Sequence, residues 1–215
     1  MPILSFAIIA GAAYLLGSIP TGFLVARAKG IDIRAVGSGN IGATNAMRVL
    51  GRPAGIFVLL VDALKGFLAV ASLGPELIQV LNLPLPDVQA GLLVAGISAV
   101  LGHNFTPWLG FKGGKGIATT AGVYLALAPL AVGIALLTWV VVTLITRYVS
   151  VGSIAAALAL AVAVWSTKTD MALRLVTLAL VAMAIYKHKS NIKRLCAGTE
   201  NRFGAKKKEK TENSR

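Results

Sequence analysis

The sequence predicts an all-α integral membrane protein with seven transmembrane helices, its N-terminus outside and its C-terminus in the cytoplasm. Three observations predict it. First, 56% of the 215 residues are hydrophobic and only 13% are charged, with a mean hydropathy of +0.78, outside the range of ordinary soluble domains. Second, several apolar runs approach the roughly 20 residues that span a bilayer. Third, Lys and Arg gather on one side of the path those runs describe, as cytoplasmic loops should. Residues 1–204 read as one polytopic domain. Residues 205–215, rich in Lys and Glu, read as a basic, disordered cytoplasmic tail.

The first apolar run covers residues 3–25 with no Lys or Arg before it, while Arg27, Lys29 and Arg34 follow. A signal peptide carries its charges in front, so this segment reads as a retained span. A second span covers residues 54–73 and is closed by Gly74-Pro75; a third covers residues 88–102. Residues 117–146, as one helix, would measure about 45 Å against roughly 30 Å of hydrocarbon. Pro129 sits near the middle, where it breaks the helical ladder, so two shorter helices meeting there fit better. The last pair covers residues 151–166 and 171–186, joined by Thr167-Lys168-Thr169-Asp170.

Charge decides the count. Seven spans place Arg27, Arg48, Arg52, Lys112, Lys115, Arg147 and every cation from Lys187 onward on one side. The other side receives Glu76, Asp87 and Asp170, with only Lys168 and Arg174 nearby. Merging residues 117–146 into one span would send the basic C-terminal segment outside, against the positive-inside rule.

Several function classes fall away. A formal charge of +13 is not accompanied by aromatic-interleaved basic patches or a DNA-binding motif, so anionic lipid and topology explain it and no nucleic-acid partner is expected. The single Cys196 excludes an internal disulfide, and no Cys/His ligand spacing supports a metal site. No cofactor is expected.

Two glycine-rich polar loops interrupt the apolar pattern. The first runs Gly37-Ser38-Gly39-Asn40-Ile41-Gly42-Ala43-Thr44-Asn45-Ala46-Met47-Arg48. A helix beginning near Ile41 would put Thr44 and Arg48 on one face, with Ser38 and Asn40 at its N-terminus, where free N–H groups favour an anion. A capped re-entrant turn with a topological Arg is the plainer reading. The second loop runs Gly110-Phe111-Lys112-Gly113-Gly114-Lys115-Gly116. It is not a P-loop: Leu109 occupies the required glycine position and Gly116 follows the lysine. Backbone donors with two cations remain, suited to a phosphate. His103 lies just upstream, equally readable as an interfacial histidine.

Asp62 and Lys65, at i and i+3 inside the second span, read as an intramembrane ion pair with an architectural role. At the exit of the last span His188 and Asn191 share a helical face within a basic collar that includes Arg194, and Glu200 is the lone acid there. The His-x4-Asp pair of soluble acyltransferases is absent: five residues after His103 stands Trp108, and five after His188 stands Lys193.

The ordered motifs Gly37-Ser38-Gly39-Asn40-x-Gly42-Ala43-Thr44-Asn45-x-x-Arg48 and Gly102-His103-x-x-x-Pro107-x-x-x-Phe111-Lys112-Gly113-Gly114-Lys115-Gly116 resemble the bacterial acyl-phosphate:glycerol-3-phosphate acyltransferase family. Asp62-x-x-Lys65-Gly66 and His188-x-x-Asn191-Ile192-x-Arg194-Leu195 match as well, so the resemblance covers nearly the whole chain. It implies transfer of an acyl group from long-chain acyl phosphate to the 1-hydroxyl of glycerol 3-phosphate, without an acyl-enzyme, at a cytoplasmic site in the bacterial inner membrane. Membrane lipid and the soluble enzyme that makes acyl phosphate are the implied partners. By motif, Ser38, Arg48, Lys112, His188 and Asn191 carry the chemistry. Gly37, Asn40, Thr44, Asn45, His103, Gly113, Gly114, Lys115, Gly116 and Ser150 bind substrate; Asp62, Lys65 and Glu200 are structural. The family often shows Tyr-Ser-Ser where this chain has Tyr148-Val149-Ser150, so only Ser150 carries over. On residues alone, an organic-phosphate transporter and a noncatalytic membrane scaffold stay open.

Overall fold

The computed structural model describes residues 2–204; the expected tail at 205–215 lies outside the described residues. Among the described residues every regular element is helical. The helices are α1 (Pro2–Ser18), α2 (Thr21–Arg27), α3 (Ala43–Leu50), α4 (Arg52–Leu68), α5 (Gly74–Val80), α6 (Val88–Asn104), α7 (Ile117–Leu127), α8 (Pro129–Thr146), α9 (Val149–Thr167), α10 (Met171–Lys187) and α11 (Lys189–Cys196). Among these residues five helical stretches are long and apolar enough to cross a membrane, and α10 with α11, bent by 52° at His188, makes a sixth. α7 is apolar but has only 11 residues. The chain is a multi-pass membrane protein.

Proline sets three departures or agreements with the pattern read from sequence. The expected break at Pro129 is present: α7 ends at Leu127, Ala128 is extended, and Pro129 opens α8. The first apolar run, expected to be continuous, is interrupted at Ile19-Pro20 because proline cannot donate to the helical ladder. The carbonyls freed there are bonded from elsewhere: Thr106 Oγ1 donates to Ser18 O at 2.7 Å and Lys65 Nζ to Ile19 O at 2.8 Å. The second span does not close at Gly74-Pro75. A π-helical turn, Ala69–Leu73, makes room for the ring, with Gly74 N–H bonding Ala69 O, and the helix continues to Val80.

Helices pack through small residues, as membrane interfaces favour. A Cβ at Gly17 or Gly102 would strike the backbone of the facing helix, so α1 and α6 lie backbone to backbone. Gly66 and Gly122 do the same for α4 and α7. The buried Lys65 Nζ lies 2.8 Å from Asp62 Oδ1, which also accepts from Thr21 Oγ1 at 3.1 Å. This pair ties α4 to the α1–α2 break. A buried apolar cluster containing Val123, Tyr124, Ala128, Leu160, Val164 and Leu180 joins α7, α8, α9 and α10.

Candidate active site

The first glycine loop is closed by one side chain. Asn45, 1% exposed, accepts from Ser38 N at 2.8 Å and donates to Ile33 O and Val36 O at 3.2 and 3.1 Å. Both ends of its amide are engaged within the loop, and the residue also borders the central cavity. Gly37, at φ +64°, leaves room for it: a Cβ there would strike Asn45 Oδ1. Asn40 Oδ1 accepts from Gly42 N at 2.9 Å, and α3 starts at Ala43, two residues later than expected. Thr44 and Arg48 then share one face, both lining the central cavity. Among the described residues the Arg48 side chain makes no ion pair or hydrogen bond. Arg34 is held by Asp32 at 2.8 Å.

The second loop is tied down by backbone. Gly113 N–H bonds Asn104 O and Gly114 N–H bonds His103 O, at 3.2 and 3.0 Å, so the loop folds back on the end of α6. His103 is buried beneath it: a Cβ at Gly114 would strike His103 Nε2, and Nδ1 lies 3.6 Å from Asp62 Oδ1. Phe111 and Gly110 both take positive φ at the turn that precedes Lys112. Lys112 is exposed and does not line the central cavity; Lys115 Nζ donates to Asn191 Oδ1 at 2.5 Å. Lys112 was expected to clamp phosphate; of the two lysines, Lys115 is the one that borders the central cavity. Burial pulls the Lys115 ammonium down to about 8, opposed by Glu200 and reinforced by Arg194 and Arg48.

The third element is organised by Glu200. Its Oε1 accepts from Asn191 Nδ2 at 2.6 Å and from Ser150 Oγ at 2.9 Å, and its Oε2 from Arg194 Nε at 2.7 Å. Burial alone would push this carboxyl up, but hydrogen bonds from Asn191, Arg194 and Ser150 hold it below the usual carboxylate range. Glu200 thus fixes which way the Asn191 amide faces, presenting its oxygen to Lys115. Ser150, expected to bind substrate, borders the central cavity and directs its proton to Glu200. Arg194, read from sequence as collar, is Glu200's partner, and the signal was the lone acid among bases. His188, at the α10–α11 corner and 2% exposed, places Nδ1 2.8 Å from Ala184 O. A carbonyl only accepts, so Nδ1 carries the proton and neutral His188 keeps Nε2 as an acceptor.

These groups converge on a cavity of about 310 Å³. Ser38, Thr44, Arg48, Lys115, His188 and Asn191 form one end; Ala135, Leu136, Trp139, Ala156, Leu160 and Leu180 line the rest. Asn40, Gly116, Ser150, Asp62 and His103 also border it, whereas Gly37, Gly113 and Gly114 do not. A smaller polar cavity of about 210 Å³ adjoins it, sharing Ser38, Asn40, Lys115 and Asn191 and adding Lys187, Ser190 and Arg194. Among the described residues no three His, Cys, Asp or Glu side chains are grouped as metal ligands. The apolar lining of α8, α9 and α10 was not singled out in the sequence, where it is indistinguishable from ordinary span residues.

A cationic, amide-rich end continuous with an apolar intramembrane end suits a ligand that is part phosphate and part hydrocarbon. The family profile described as glycerol-3-phosphate acyltransferase matches residues 7–198. The chain belongs to that family. It is an acyltransferase. A glycerol-3-phosphate acyltransferase of Geobacter sulfurreducens is 48% identical over 92% of this chain and 97% of its own length. One of Geobacter metallireducens is 50% identical over 90% and 95%. The crystal structure of PlsY (YgiH), an integral membrane glycerol 3-phosphate acyltransferase, in its glycerol 3-phosphate form has a TM-score of 0.83 at 40% identity, covering 93% of this chain and 96% of that one. Its lysophosphatidic acid form has a TM-score of 0.80 at 38% identity, with the same coverage.

Proposed function

We propose that this chain transfers a fatty acyl group from acyl phosphate to the 1-hydroxyl of sn-glycerol 3-phosphate, releasing 1-acylglycerol 3-phosphate and inorganic phosphate, the first committed step of phospholipid synthesis. The cavity carries this reading: Arg48 and Lys115 stand at one end of a space whose other end is hydrocarbon-lined and lies among spanning helices. The hydroxyl oxygen attacks the acyl carbonyl, the new ester C–O bond forms, and the bond to phosphate oxygen breaks. Phosphate is already a good leaving group, so the demands are to hold two anions together and to offset charge as it develops. Arg48, Lys115 and Ser38 meet the phosphates; Asn191, oriented by Glu200, holds Lys115 in place. The proton of the attacking hydroxyl passes to a substrate phosphate oxygen, while His188 Nε2 is left to accept from another hydroxyl of the glycerol. No acyl-enzyme forms. Purified protein is expected to acylate glycerol 3-phosphate from palmitoyl phosphate and to fail with palmitoyl-CoA; robust activity from the thioester would sink the assignment.

The same reading sets the membrane topology as seven crossings in the bacterial inner membrane, N-terminus outside, with both glycine loops and the C-terminal segment cytoplasmic. Its supports are the one-sided Lys and Arg and the division of the chain at Ala128-Pro129. α7, at about 16 Å, is the shortest of the seven. In a Cys196→Ser background, single cysteines at positions 40, 113, 149 and 205 are expected to resist an outside labelling reagent. Labelling at 149 or 205 would overturn the count.

A further inference from the structure

The long axis of the cavity is graded by residue size on two helices independently. On α9, Ser150 and Ser153 stand at the polar mouth, Ala156 follows one turn deeper, and Leu160 lies below it. Steps of three and four residues keep all of these on one helical face. α10, numbered in the opposite direction, repeats the order: His188 at the mouth, Ala184 one turn in, Leu180 one turn further. Leu160 and Leu180 are each 5% exposed and belong to the apolar cluster that also holds Ala128, Ala131, Ala163 and Val164, which do not line the cavity. On α9 and α10 the lining ends at the two leucines, and close-packed residues lie beyond them on these helices.

The depth follows from helix geometry. Ser150 to Leu160 along α9 is about 15 Å, and His188 to Leu180 along α10 is about 12 Å, at about 1.5 Å per residue. An extended chain advances about 1.2 Å per bond, a third of its rise per residue in a polypeptide, so the space admits about ten to twelve bonds of alkyl chain in extended form.

We infer that Leu160 and Leu180 form the floor of the acyl slot and set its chain-length preference, with Ala156 the small residue that keeps the slot open above them. This rests on the acyl-donor reading of the cavity. A chain longer than the slot bends against the floor, losing contacts that a shorter or deeper-seated chain keeps. Leu59 on α4 and Leu136 on α8 also border the cavity and are exposed; they mark the sideways route that a chain not stopped by the floor would take.

The test is internal competition. Full-length purified protein is given glycerol 3-phosphate with equal dodecanoyl and palmitoyl phosphate, and the two lysophosphatidate products are counted by mass spectrometry. The product ratio does not depend on how much of a variant is folded. Ala156→Phe is expected to lower the C16-to-C12 ratio by about tenfold, and Leu160→Ala or Leu180→Ala to raise it by about threefold or more, because one or two methylenes decide fit in a pocket of fixed depth. Leu137→Ala, on the exposed face of α8, is expected to leave it unchanged. If Leu160→Ala and Leu180→Ala keep the wild-type ratio, the tail leaves sideways and the floor does not measure it. A ratio moved equally by Leu137→Ala would likewise overturn the inference. Wild-type protein that uses neither acyl phosphate would remove the underlying reading, a failure separable from an unchanged ratio.

Discussion

The two glycine loops have similar composition and different tethers. The first is closed by a side chain: Asn45 reaches back to Ser38, Ile33 and Val36, and the cation it serves, Arg48, sits outside the loop on the following helix. The second is closed by backbone, with Gly113 and Gly114 bonded to the last carbonyls of α6, and its cation lies within the loop. The difference decides which charge enters the cavity. The backbone tether at Gly113 and Gly114 lies between Lys112 and Lys115, and only Lys115 borders the cavity. Composition alone does not distinguish two lysines three residues apart; the position of the tether does.

The largest expected effect breaks the comparison at its cations. Arg48→Ala and Lys115→Ala are each expected to lower kcat/KM for glycerol 3-phosphate by about 30- to 1000-fold, the loss of a charge-assisted contact of about 2–4 kcal/mol. Arg48→Lys should recover only part, because a point charge does not replace a bidentate fork. Near-normal kinetics in folded Lys115→Ala would mean that the inward lysine has been misassigned.

Next come the tethers themselves. Asn45→Ala strands three backbone groups, and each buried unsatisfied group costs about 1–3 kcal/mol, so its melting temperature in detergent should fall clearly below that of the wild type. Gly114→Ala puts a methyl on the His103 ring and should raise KM for glycerol 3-phosphate strongly. Gly110→Ala meets no atom, though its φ of +60° carries a backbone cost of about 1–2 kcal/mol, so its effect should be smaller. Equal defects in the two glycine variants would argue against a tether at Gly114.

A smaller effect is read in pH. Lys115 is charged below about 8 and neutral above it, and only the charged form attracts phosphate. With kcat/KM reporting the free enzyme, activity should decline as pH rises through about 8, and Lys115→Arg should move that limb upward. An unshifted limb in Lys115→Arg would assign it to another group. The smallest effect is expected of Lys112→Ala, less than about threefold in kcat/KM, in keeping with an exposed surface cation. A loss comparable with Lys115→Ala would restore Lys112 to the site.

The sequence by itself determined what local chemistry determines. Hydropathy marks the spans because a backbone in hydrocarbon must satisfy its own hydrogen bonds as helix. Pro129 marks a break because it lacks an N–H, and the polar loops stand out because Ser, Asn, Arg and Lys crowd where apolar residues were the rule. Pro75 misled for the same reason it is informative: it forbids a plain α-helix, and whether the chain stops or inserts a π turn depends on the helices packed around it. Only the tertiary structure decided which loop residues face the cavity. Asn45 turning inward, Ser150 and Asn191 converging on Glu200, and Lys115 meeting Asn191 across 76 residues of sequence all depend on where separate helices end in space. The apolar slot was hidden for a related reason. Ala156 and Leu160 read as span residues in any register, and only the neighbouring α8 and α10 turn that face of α9 from lipid contact into a wall.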